Sequence, residues 1–464
     1  MEARIESFQG KRVHMIGIGG SSMSGLAQML RQRGYLVQGS DRDDGYLLAQ
    51  LREAGIPVMV GHRAEHVHGA DLVVYTAAIS ADNPERMEAV RLNIPAMERS
   101  VLLGQWMGQY GTSVAVCGTH GKTTATGMMS AILLGTGMDP AIHVGGQMDL
   151  LGGSTRVGNG GLFLAEACEF NRSFLEMNPT HALLLNIDAD HLDCYRDLEE
   201  IEETFGLFLQ HLPATGTVFG WGEDERVLRQ MKASGRKYLT FGWGEENDLH
   251  PAQLTEDGTG FLSYDAVFQG QRVAHVTMGV PGRFNALDGM GALLTAIGLG
   301  IDPQQAADAL GSFRGVHRRL EKTSQVNGAD IYHDYGHNPT EMKNVLSVAR
   351  KLTVGRLIAV MQPHTYSRVR TQFDAYLTCT READITLVTD ICAAREPVDP
   401  SLTSAMLVEG MASHGVHAVL TPTFDDAEAW LRGNLQPGDL ALTMGCGDIN
   451  LLNEQIRRHD MERD

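Results

Sequence analysis

Apolar and polar stretches alternate along the first 108 residues in a way that predicts repeated strands and helices. Apolar runs at 12–18, 35–39 and 72–75 predict strands, and residues 24–33 carry apolar side chains at helical spacing. Repeated β-α-β units form parallel sheets, whose ligands bind at the carboxyl ends of the strands. The first part of the chain therefore predicts a Rossmann-like domain.

The same alternation continues to the C-terminus. Strands are predicted at 113–117, 162–165, 182–187, 329–332, 357–361, 384–389 and 439–444. Residues 260–278 alternate around Gln269-Gly270, which predicts a β-hairpin. We expect an α/β protein of three domains: 1–108 Rossmann-like, 109–321 with a parallel sheet plus a smaller β-sheet, and 322–464 Rossmann-like.

Composition narrows the class of protein. A chain of 464 residues suits three domains at about 150 residues each. The net charge of −19 argues against a nucleic-acid partner or an anionic membrane. The sequence contains no run of about 18 apolar residues, so we expect no membrane insertion. The polar N-terminus does not resemble a signal peptide. Six scattered cysteines form no CxxC pair, so we expect reduced thiols and a cytoplasmic location.

A phosphate-binding loop is the most specific motif. The apolar run 113–117 leads into Gly118-Thr119-His120-Gly121-Lys122-Thr123-Thr124, and a helix pattern follows. Strand, tight turn and helix start form the context in which backbone amides and a lysine hold nucleotide phosphates. Val116 stands where the usual motif has its first glycine. The motif predicts ATP binding, with Thr123 available to Mg²⁺.

Acidic and imidazole side chains follow two other strands of the predicted central sheet. Glu166 follows the strand at 162–165, and His191 follows the strand at 182–187. Carboxylate oxygen and neutral imidazole can both ligate Mg²⁺ beside ATP. We expect one ion to be shared by Thr123 and Glu166, and a second to use His191.

A glycine turn at residues 17–23 gives a weaker signal. Gly17, Gly19 and Gly20 follow the first strand, and Asp41 ends the second. Such a turn binds a dinucleotide or another diphosphate, with Asp41 accepting from a ribose hydroxyl. Ser22 stands where a dinucleotide fingerprint has its third glycine, which is a departure from that pattern. An NAD-dependent oxidoreductase is still the alternative from another enzyme class, because it would account for residues 17–41, although it leaves the phosphate-binding loop unused.

The motifs occur in an order that resembles the Mur ligases of peptidoglycan synthesis. HMIGIGGSSMSGLA (14–27), GTHGKTT (118–124), EACEFNRSFL (166–175) and NIDADHLD (186–193) resemble family signatures in the first half of the chain. FRGVHRRLE (313–321), DYGHNPTE (334–341), QPHTYSR (362–368) and MGCGDI (444–449) resemble signatures in the second half. Each motif alone is modest, but the ordered set is specific.

The resemblance implies roles for individual residues. The expected substrate-binding residues, which include those for the UDP group, are Gly17, Gly19, Gly20, Ser40, Asp41, His62, Thr76 and Glu169. His337 and Arg368 would face an amino-acid substrate. ATP would be held by Gly118, Thr119, His120, Gly121, Lys122, Thr123, Thr124, Asn285, Arg319 and Asp334. The expected catalytic residues are Lys122, His191, His337 and Arg319, and the expected metal ligands are Thr123, Glu166 and His191.

The resemblance also implies a reaction. We expect L-alanine to be joined to the lactyl carboxylate of UDP-N-acetylmuramate through an acyl phosphate, at the expense of ATP and with Mg²⁺, by a monomer or weak homodimer. Attachment of a preformed peptide is the alternative within the family. Phe284 and Asp288 depart from the family's adenine motif, and Thr365 stands where many relatives have Arg, so a non-catalytic nucleotide-binding regulator is a further alternative.

Overall fold

The computed structural model describes residues 3–190, 194–394 and 396–461, and has three sheets. The chain packs as two compact units. The first comprises Met1–Leu254, Tyr264–Thr277 and Leu287–Phe313, and the second comprises Thr255–Ser263, Met278–Ala286 and Arg314–Asp464. The expected class, an α/β protein of three domains, is confirmed. The boundaries expected at 108 and 321 stay predictions.

The first sheet is entirely parallel. Its strands are β1 (Arg12–Ile16), β2 (Leu36–Asp41), β3 (Val58–Val60), β4 (Leu72–Tyr75) and β5 (Ala96–Glu98), in the order β3-β2-β1-β4-β5. The helices are α1 (Ser21–Gln32), α2 (Tyr46–Glu53), α3 (Pro84–Arg91) and α4 (Arg99–Met107). Parallel strands bring their carboxyl ends to one edge, so Gly17, Asp41, His62 and Thr76 share that edge.

The second sheet has ten strands. They are β6 (Thr112–Cys117), β7 (Ala141–Met148), β8 (Gly153–Arg156), β9 (Leu162–Glu166), β10 (His181–Leu184), β11 (Thr217–Trp221), β12 (Lys237–Phe241), β13 (Leu249–Glu256), β14 (Leu262–Phe268) and β15 (Gln271–Thr277). Their order is β15-β14-β13-β12-β11-β10-β6-β9-β7-β8. The helices of this part are α5 (Lys122–Gly135), α6 (Leu198–Gln210), α7 (Glu225–Ala233), α8 (Arg283–Gly298) and α9 (Pro303–Gly311).

The smaller β-sheet expected in the middle of the chain is continuous with this large sheet. The link is the pair Phe241–Leu249, which joins β12 to β13. The predicted hairpin is β14–β15, and its turn residues Gln269 and Gly270 have φ of 49° and 78°. Two positive φ angles are typical of the tight turns that match the twist of paired strands.

The third sheet is parallel except at one edge. Its strands are β16 (Glu321–Val326), β17 (Ala329–Asp334), β18 (Leu357–Met361), β19 (Ile385–Val388), β20 (Ala418–Leu420) and β21 (Leu440–Met444), in the order β16-β17-β21-β18-β19-β20. Only β16 pairs antiparallel, with β17. The helices are α10 (Pro339–Leu352), α11 (Tyr366–Thr371), α12 (Phe373–Tyr376), α13 (Ser404–Ser413), α14 (Phe424–Asn434) and α15 (Asn450–Met461).

Strand β18 shows why these strands are nearly continuous apolar runs. Leu357, Ala359 and Met361 belong to one apolar cluster, whereas Ile358 and Val360 belong to another. Successive side chains of a strand point to opposite faces, and helices cover both faces of a parallel sheet. Every position of β18 is therefore buried, and polar residues appear only where the strand ends.

Candidate active site

The phosphate-binding loop connects β6 to α5, as the sequence predicts. Gly121, with φ of 82°, is the residue before α5, which begins at Lys122. The segment after β10 fixes the loop, because the Thr119 amide donates to the Asn186 carbonyl (3.1 Å) and the His120 amide donates to Asn186 Oδ1 (2.8 Å). The loop amides thus have defined orientations at the N-terminus of a 14-residue helix.

Lys122 is held within this loop by three acceptors. Its Nζ donates to the carbonyls of Gly118 (2.7 Å) and Thr119 (2.9 Å), and it forms an ion pair with Glu169 (2.8 Å). Burial disfavours the charged amine, but the Glu169 carboxylate outweighs this and raises the pKa of Lys122. Lys122 is therefore a permanent cation at neutral pH. Glu169, expected to contact substrate, contacts Lys122, and its substrate role stays a prediction.

The expected ligands of the first Mg²⁺ ion are adjacent. Thr123 Oγ1 donates to Glu166 Oε1 at 3.0 Å, and Glu166 Oε2 accepts from the Gly145 amide at 2.7 Å. The alignment of Val116 with Glu166 in the β6–β9 pairing brings the two side chains together. A hydroxyl and a carboxylate suit Mg²⁺, which takes oxygen ligands and keeps most of its coordination for phosphate and water.

The structure adds less to the expectation of a second ion. His191 lies outside the described residues. Within 3–190, 194–394 and 396–461, no group of three or more His, Cys, Asp or Glu side chains is arranged to hold a metal ion. Both metal assignments stay predictions.

Three residues that the sequence analysis did not assign also contact the loop. Asn186 binds its amides, as described, and Asp188 Oδ2 lies 3.2 Å from His120 Nε2. The hydrogen bond from His120 lowers the pKa of Asp188, although burial opposes this. The third is Asp288 on α8: a Cβ atom added to Gly121 would lie 2.6 Å from Asp288 Oδ2. The sequence signal that could have identified Asn186 and Asp188 is their position in the segment that follows β10.

The N-terminal sheet edge gathers the residues expected to hold the UDP end. The Ser40 carbonyl accepts from the amides of Gly17 (2.8 Å) and Ile18 (3.0 Å), and Asp41 Oδ2 accepts from the Gly19 amide (2.8 Å). A Cβ atom on Gly17 would lie 2.9 Å from the Thr76 methyl group. These contacts fix the glycine turn and place Thr76 beside it.

The remaining expected residues lie in the second compact unit. Asp334 is buried and accepts from the amides of Leu320 (2.8 Å) and Gly336 (2.6 Å). Burial raises the pKa of Asp334, and the nearby Arg319 guanidinium opposes the rise. The Arg319 guanidinium also lies over the Tyr335 ring, 5.0 Å from its centroid. Arg319 and Asp334 are therefore neighbours, and their expected roles towards ATP stay predictions.

The expected amino-acid residues form a second group in this unit. His337 Nδ1 lies 3.3 Å from Glu341 Oε2, and the rings of His337 and His364 are 6.1 Å apart. Arg368 Nη1 lies 3.3 Å from His364 Nδ1. His364 thus lies between His337 and Arg368. Asn285 donates to the Pro281 carbonyl at 2.7 Å.

Comparison with known proteins gives the family. Models described as "Mur ligase family, catalytic domain", "Mur ligase middle domain" and "Mur ligase, glutamate ligase domain" match residues 12–110, 116–296 and 318–447. The UDP-N-acetylmuramate–L-alanine ligase of Clostridium beijerinckii is 39% identical over 445 residues, covering 96% of this chain and 97% of that protein. The chain belongs to the Mur ligase family.

Other Mur ligases are similar over comparable lengths. The UDP-N-acetylmuramate–L-alanine ligase of Acetivibrio thermocellus is 39% identical over 447 residues, covering 96% of this chain and 95% of that protein. The crystal structure of UDP-N-acetylmuramate-alanine ligase from Thermotoga maritima superposes with a TM-score of 0.83 at 25% identity, covering 98% of this chain and 100% of the other.

A murein peptide ligase from Psychrobacter arcticus has a TM-score of 0.74 at 22% identity, covering 97% of this chain and 98% of the other. At this identity the likeness is one of fold. No helix within the described part of this Mur ligase is long and apolar enough to cross a membrane.

Proposed function

We propose that this Mur ligase joins L-alanine to the lactyl carboxylate of UDP-N-acetylmuramate, using ATP and Mg²⁺. The observation that carries the proposal is the full-length similarity, at 39% identity, to proteins with that named activity. The adjacency of Lys122, Thr123 and Glu166 at the loop supports it, because these are the groups that a phosphoryl-transfer site requires. A reaction that consumes ATP also favours the cytoplasm. The oligomeric state stays a prediction.

The lactyl carboxylate, which the proposed reaction must activate, is a poor electrophile. A carboxylate repels nucleophiles and has no usable leaving group, so phosphorylation by ATP first converts it to an acyl phosphate. The neutral amine of alanine then attacks the acyl carbon, and the tetrahedral intermediate expels phosphate. Positioning and charge stabilisation are the tasks left to the protein.

Lys122 and the loop amides supply positive charge to the phosphate oxygens in this proposal. Thr123 and Glu166 would hold Mg²⁺, which when bound neutralises charge on the transferring phosphoryl group. Arg319 serves as a second cation for the phosphates, and Asp334 accepts from the ATP ribose. Asn285 contacts adenine.

Arg368 suits the carboxylate of alanine, because a guanidinium binds a carboxylate through two parallel hydrogen bonds. His337 and His191 are the candidates for removing the ammonium proton. Gly17, Gly19, Gly20, Asp41, His62 and Thr76 hold the UDP end at the N-terminal sheet edge.

A phosphate-release assay tests the proposal. We expect release of phosphate only when ATP, Mg²⁺, UDP-N-acetylmuramate and L-alanine are all present. Glycine, L-serine and an alanine-containing tripeptide, tested in place of alanine, separate amino-acid addition from peptide attachment. Faster release with the tripeptide would contradict the proposal in favour of peptide attachment. Nicotinamide fluorescence that changes on adding protein would instead support an oxidoreductase.

A further inference from the structure

A fully buried carboxylate lies beneath the N-terminal sheet edge, outside all the residues assigned above. Glu85, on α3, accepts hydrogen bonds from Ser40 Oγ (2.6 Å), His66 Nδ1 (2.7 Å), His14 Nε2 (3.1 Å) and the Arg63 amide (3.3 Å). Burial alone would raise the pKa of Glu85, but these donors hold it at about 2. Glu85 is therefore ionised at neutral pH, and as a carboxylate it can only accept.

The ionised carboxylate determines the direction of the hydrogen bond at Ser40. A serine hydroxyl has one proton, and Ser40 must give it to Glu85 because Glu85 has none to offer. Ser40 Oγ can then only accept from its other neighbour, His62 Nδ1, at 3.1 Å. His62 Nδ1 also lies 3.6 Å from Glu85 Oε1, which favours a proton on the same nitrogen.

A neutral imidazole has only one N–H, so a proton on Nδ1 leaves Nε2 of His62 as an acceptor. His62 lies just after β3, separated from it by Gly61, and its side chain is partly exposed, whereas His14 and His66 are buried. No hydrogen bond joins Nε2 of His62 to any residue in the described part of the chain. Strand β3 pairs with β2, which ends at Ser40 and Asp41, so this acceptor lies at the predicted nucleotide edge.

The remaining two imidazoles have a different task. His14 Nε2 donates to Glu85, and His14 Nδ1 faces the side-chain amide of Gln38 at 3.3 Å. His66 Nδ1 donates to Glu85, and His66 Nε2 accepts from Arg63 Nε at 3.3 Å. Both rings are fully engaged inside the protein, where they stabilise the buried charge. Of the three imidazoles, His62 is therefore the one available to a ligand.

We propose that Glu85 and Ser40 are positioning residues that fix His62 with its proton on Nδ1, so that His62 Nε2 accepts a hydrogen bond from the imide N–H of a uracil base. The inference rests on the proposed function in one respect, that a uridine nucleotide binds at this edge. Phosphate oxygens are acceptors and gain nothing from such a nitrogen. Cytosine has a lone pair where uracil has its imide N–H, so two acceptors would face each other.

The protonation of His62 can be measured directly. Two-bond ¹H–¹⁵N correlation spectra of the full chain, with His62 assigned by comparison with His62→Gln, report which ring nitrogen carries the proton. We expect a protonated Nδ1 in the wild type and a mixture of the two forms in Ser40→Ala. Ser100→Ala is the matched control, because Ser100 is also buried in this domain and donates to a carboxylate, Glu98 Oε1, at 3.0 Å.

Calorimetric titration with free nucleotides tests the consequence. We expect UDP to bind the wild type about tenfold or more tightly than CDP, since the facing acceptors of CDP and His62 would leave both groups without a hydrogen bond. N3-methyl-UDP should bind as poorly as CDP, and 2′-deoxy-UDP should bind nearly as well as UDP. Ser40→Ala should lower the UDP-to-CDP ratio severalfold, whereas Ser100→Ala should leave it unchanged.

Three results would overturn the inference: a wild-type His62 protonated on Nε2, equal affinities for UDP and N3-methyl-UDP, or an unchanged UDP-to-CDP ratio in a folded Ser40→Ala. None of these bears on ligation itself. Phosphate release that depends on UDP-N-acetylmuramate and alanine would still support the proposed function. Conversely, base discrimination without any phosphate release would support the inference and contradict the proposed function.

Discussion

The two glycine turns of the first compact unit share a backbone design. Residues 17–20 connect β1 to α1, and residues 118–121 connect β6 to α5. In each case the carboxyl end of a neighbouring strand accepts from the turn's amides, through the Ser40 carbonyl near the end of β2 in the first turn and through Asn186, just after β10, in the second. This strand–turn–helix backbone arrangement occurs in parallel sheets wherever a strand leads into a helix.

The side chains around the two turns differ in charge. Around the second turn lie a lysine and the carboxylates of Glu166, Glu169 and Asp288. The first turn has one carboxylate on it, Asp41, and the buried Glu85 network beneath it. The proposed function gives this contrast a physical reason: a turn that only binds a ligand needs fixed donors and acceptors, whereas a turn that takes part in phosphoryl transfer also needs concentrated charge.

The largest expected effect comes from removing the cation of the second turn. We expect Lys122→Ala to lower ligation at least about a hundredfold, because in the proposed function the lysine stabilises charge on the transferring phosphoryl group. Phosphate release measures it, with the exposed Lys232→Ala as control. UDP affinity, which we assign to the first turn, should stay unchanged. Near-normal turnover in Lys122→Ala would refute the assignment of the second turn.

The next effect concerns the buried charge near the first turn. Glu85→Gln should destabilise the protein by about 2–3 kcal/mol, since an amide cannot accept from all four donors. The pKa of Glu85 falls from 4.5 to about 2 on folding. Its stabilisation is therefore complete above pH 4.5 and is lost as the pH falls towards 2. Urea unfolding of the wild type and the variant across this range measures the difference, which should shrink in acid.

Glu88, on the same helix, supplies the control for that experiment. Hydrogen bonds from Arg91 and His68 also lower the pKa of Glu88, but both partners are exposed to solvent, which screens the interaction. Exposed ion pairs contribute little to stability, so Glu88→Gln should change the pH dependence much less than Glu85→Gln does. Equal effects of the two substitutions would contradict the special status of Glu85.

A smaller effect is expected from crowding the second turn. Gly121→Ala should cost roughly 2 kcal/mol, of which about 1 kcal/mol is the strain of a positive φ. The rest arises because the added carbon would lie 2.6 Å from an oxygen of Asp288. Gly137→Ala, at φ of 79° with open space around it, isolates the strain. Thermal unfolding measures both, and adding Asp288→Ala to Gly121→Ala should remove the excess.

The smallest effect is expected at the corresponding glycine of the first turn. Gly17→Ala has the same strain at φ of 80°, but its new carbon would meet the terminal methyl of Thr76 at 2.9 Å. A methyl group that can turn aside costs less than a buried carboxylate, so we expect about 1–2 kcal/mol. Gly34→Ala, with open space, is its control. The prediction fails if Gly17→Ala destabilises the protein beyond its control Gly34→Ala by more than Gly121→Ala does beyond its control Gly137→Ala.

The local sequence pattern correctly predicted the strand, the glycine turn and the helix that follows at both turns. The strand at 113–117, the glycines and the helix at Lys122 are consecutive in the chain, and the structure has them as β6, the loop and α5. Glu166 was expected near Thr123 because it ends a strand of the same sheet, and the two side chains lie 3.0 Å apart. Such predictions succeed because the carboxyl ends of parallel strands meet at one edge.

The sequence pattern did not predict contacts between segments that are distant along the chain. Asp288 is visible in the sequence only as a departure from a motif, and its position against Gly121 depends on how α8 packs. Glu85 gave no signal, since its partners His14, Ser40 and His66 come from three separate segments. Glu169 was assigned to substrate because the resemblance orders motifs without specifying which side chains pair.

The single residue pair between β12 and β13 has a consequence for how the large sheet opens. Strands β6 and β9 are joined by five pairs, whereas Phe241 and Leu249 alone join β12 to β13. Amide hydrogen exchange through partial unfolding follows the weakest junctions first. The amides of β13 should therefore exchange with deuterium well before those of β6, and the strand that carries the phosphate loop should be among the last to lose its protection.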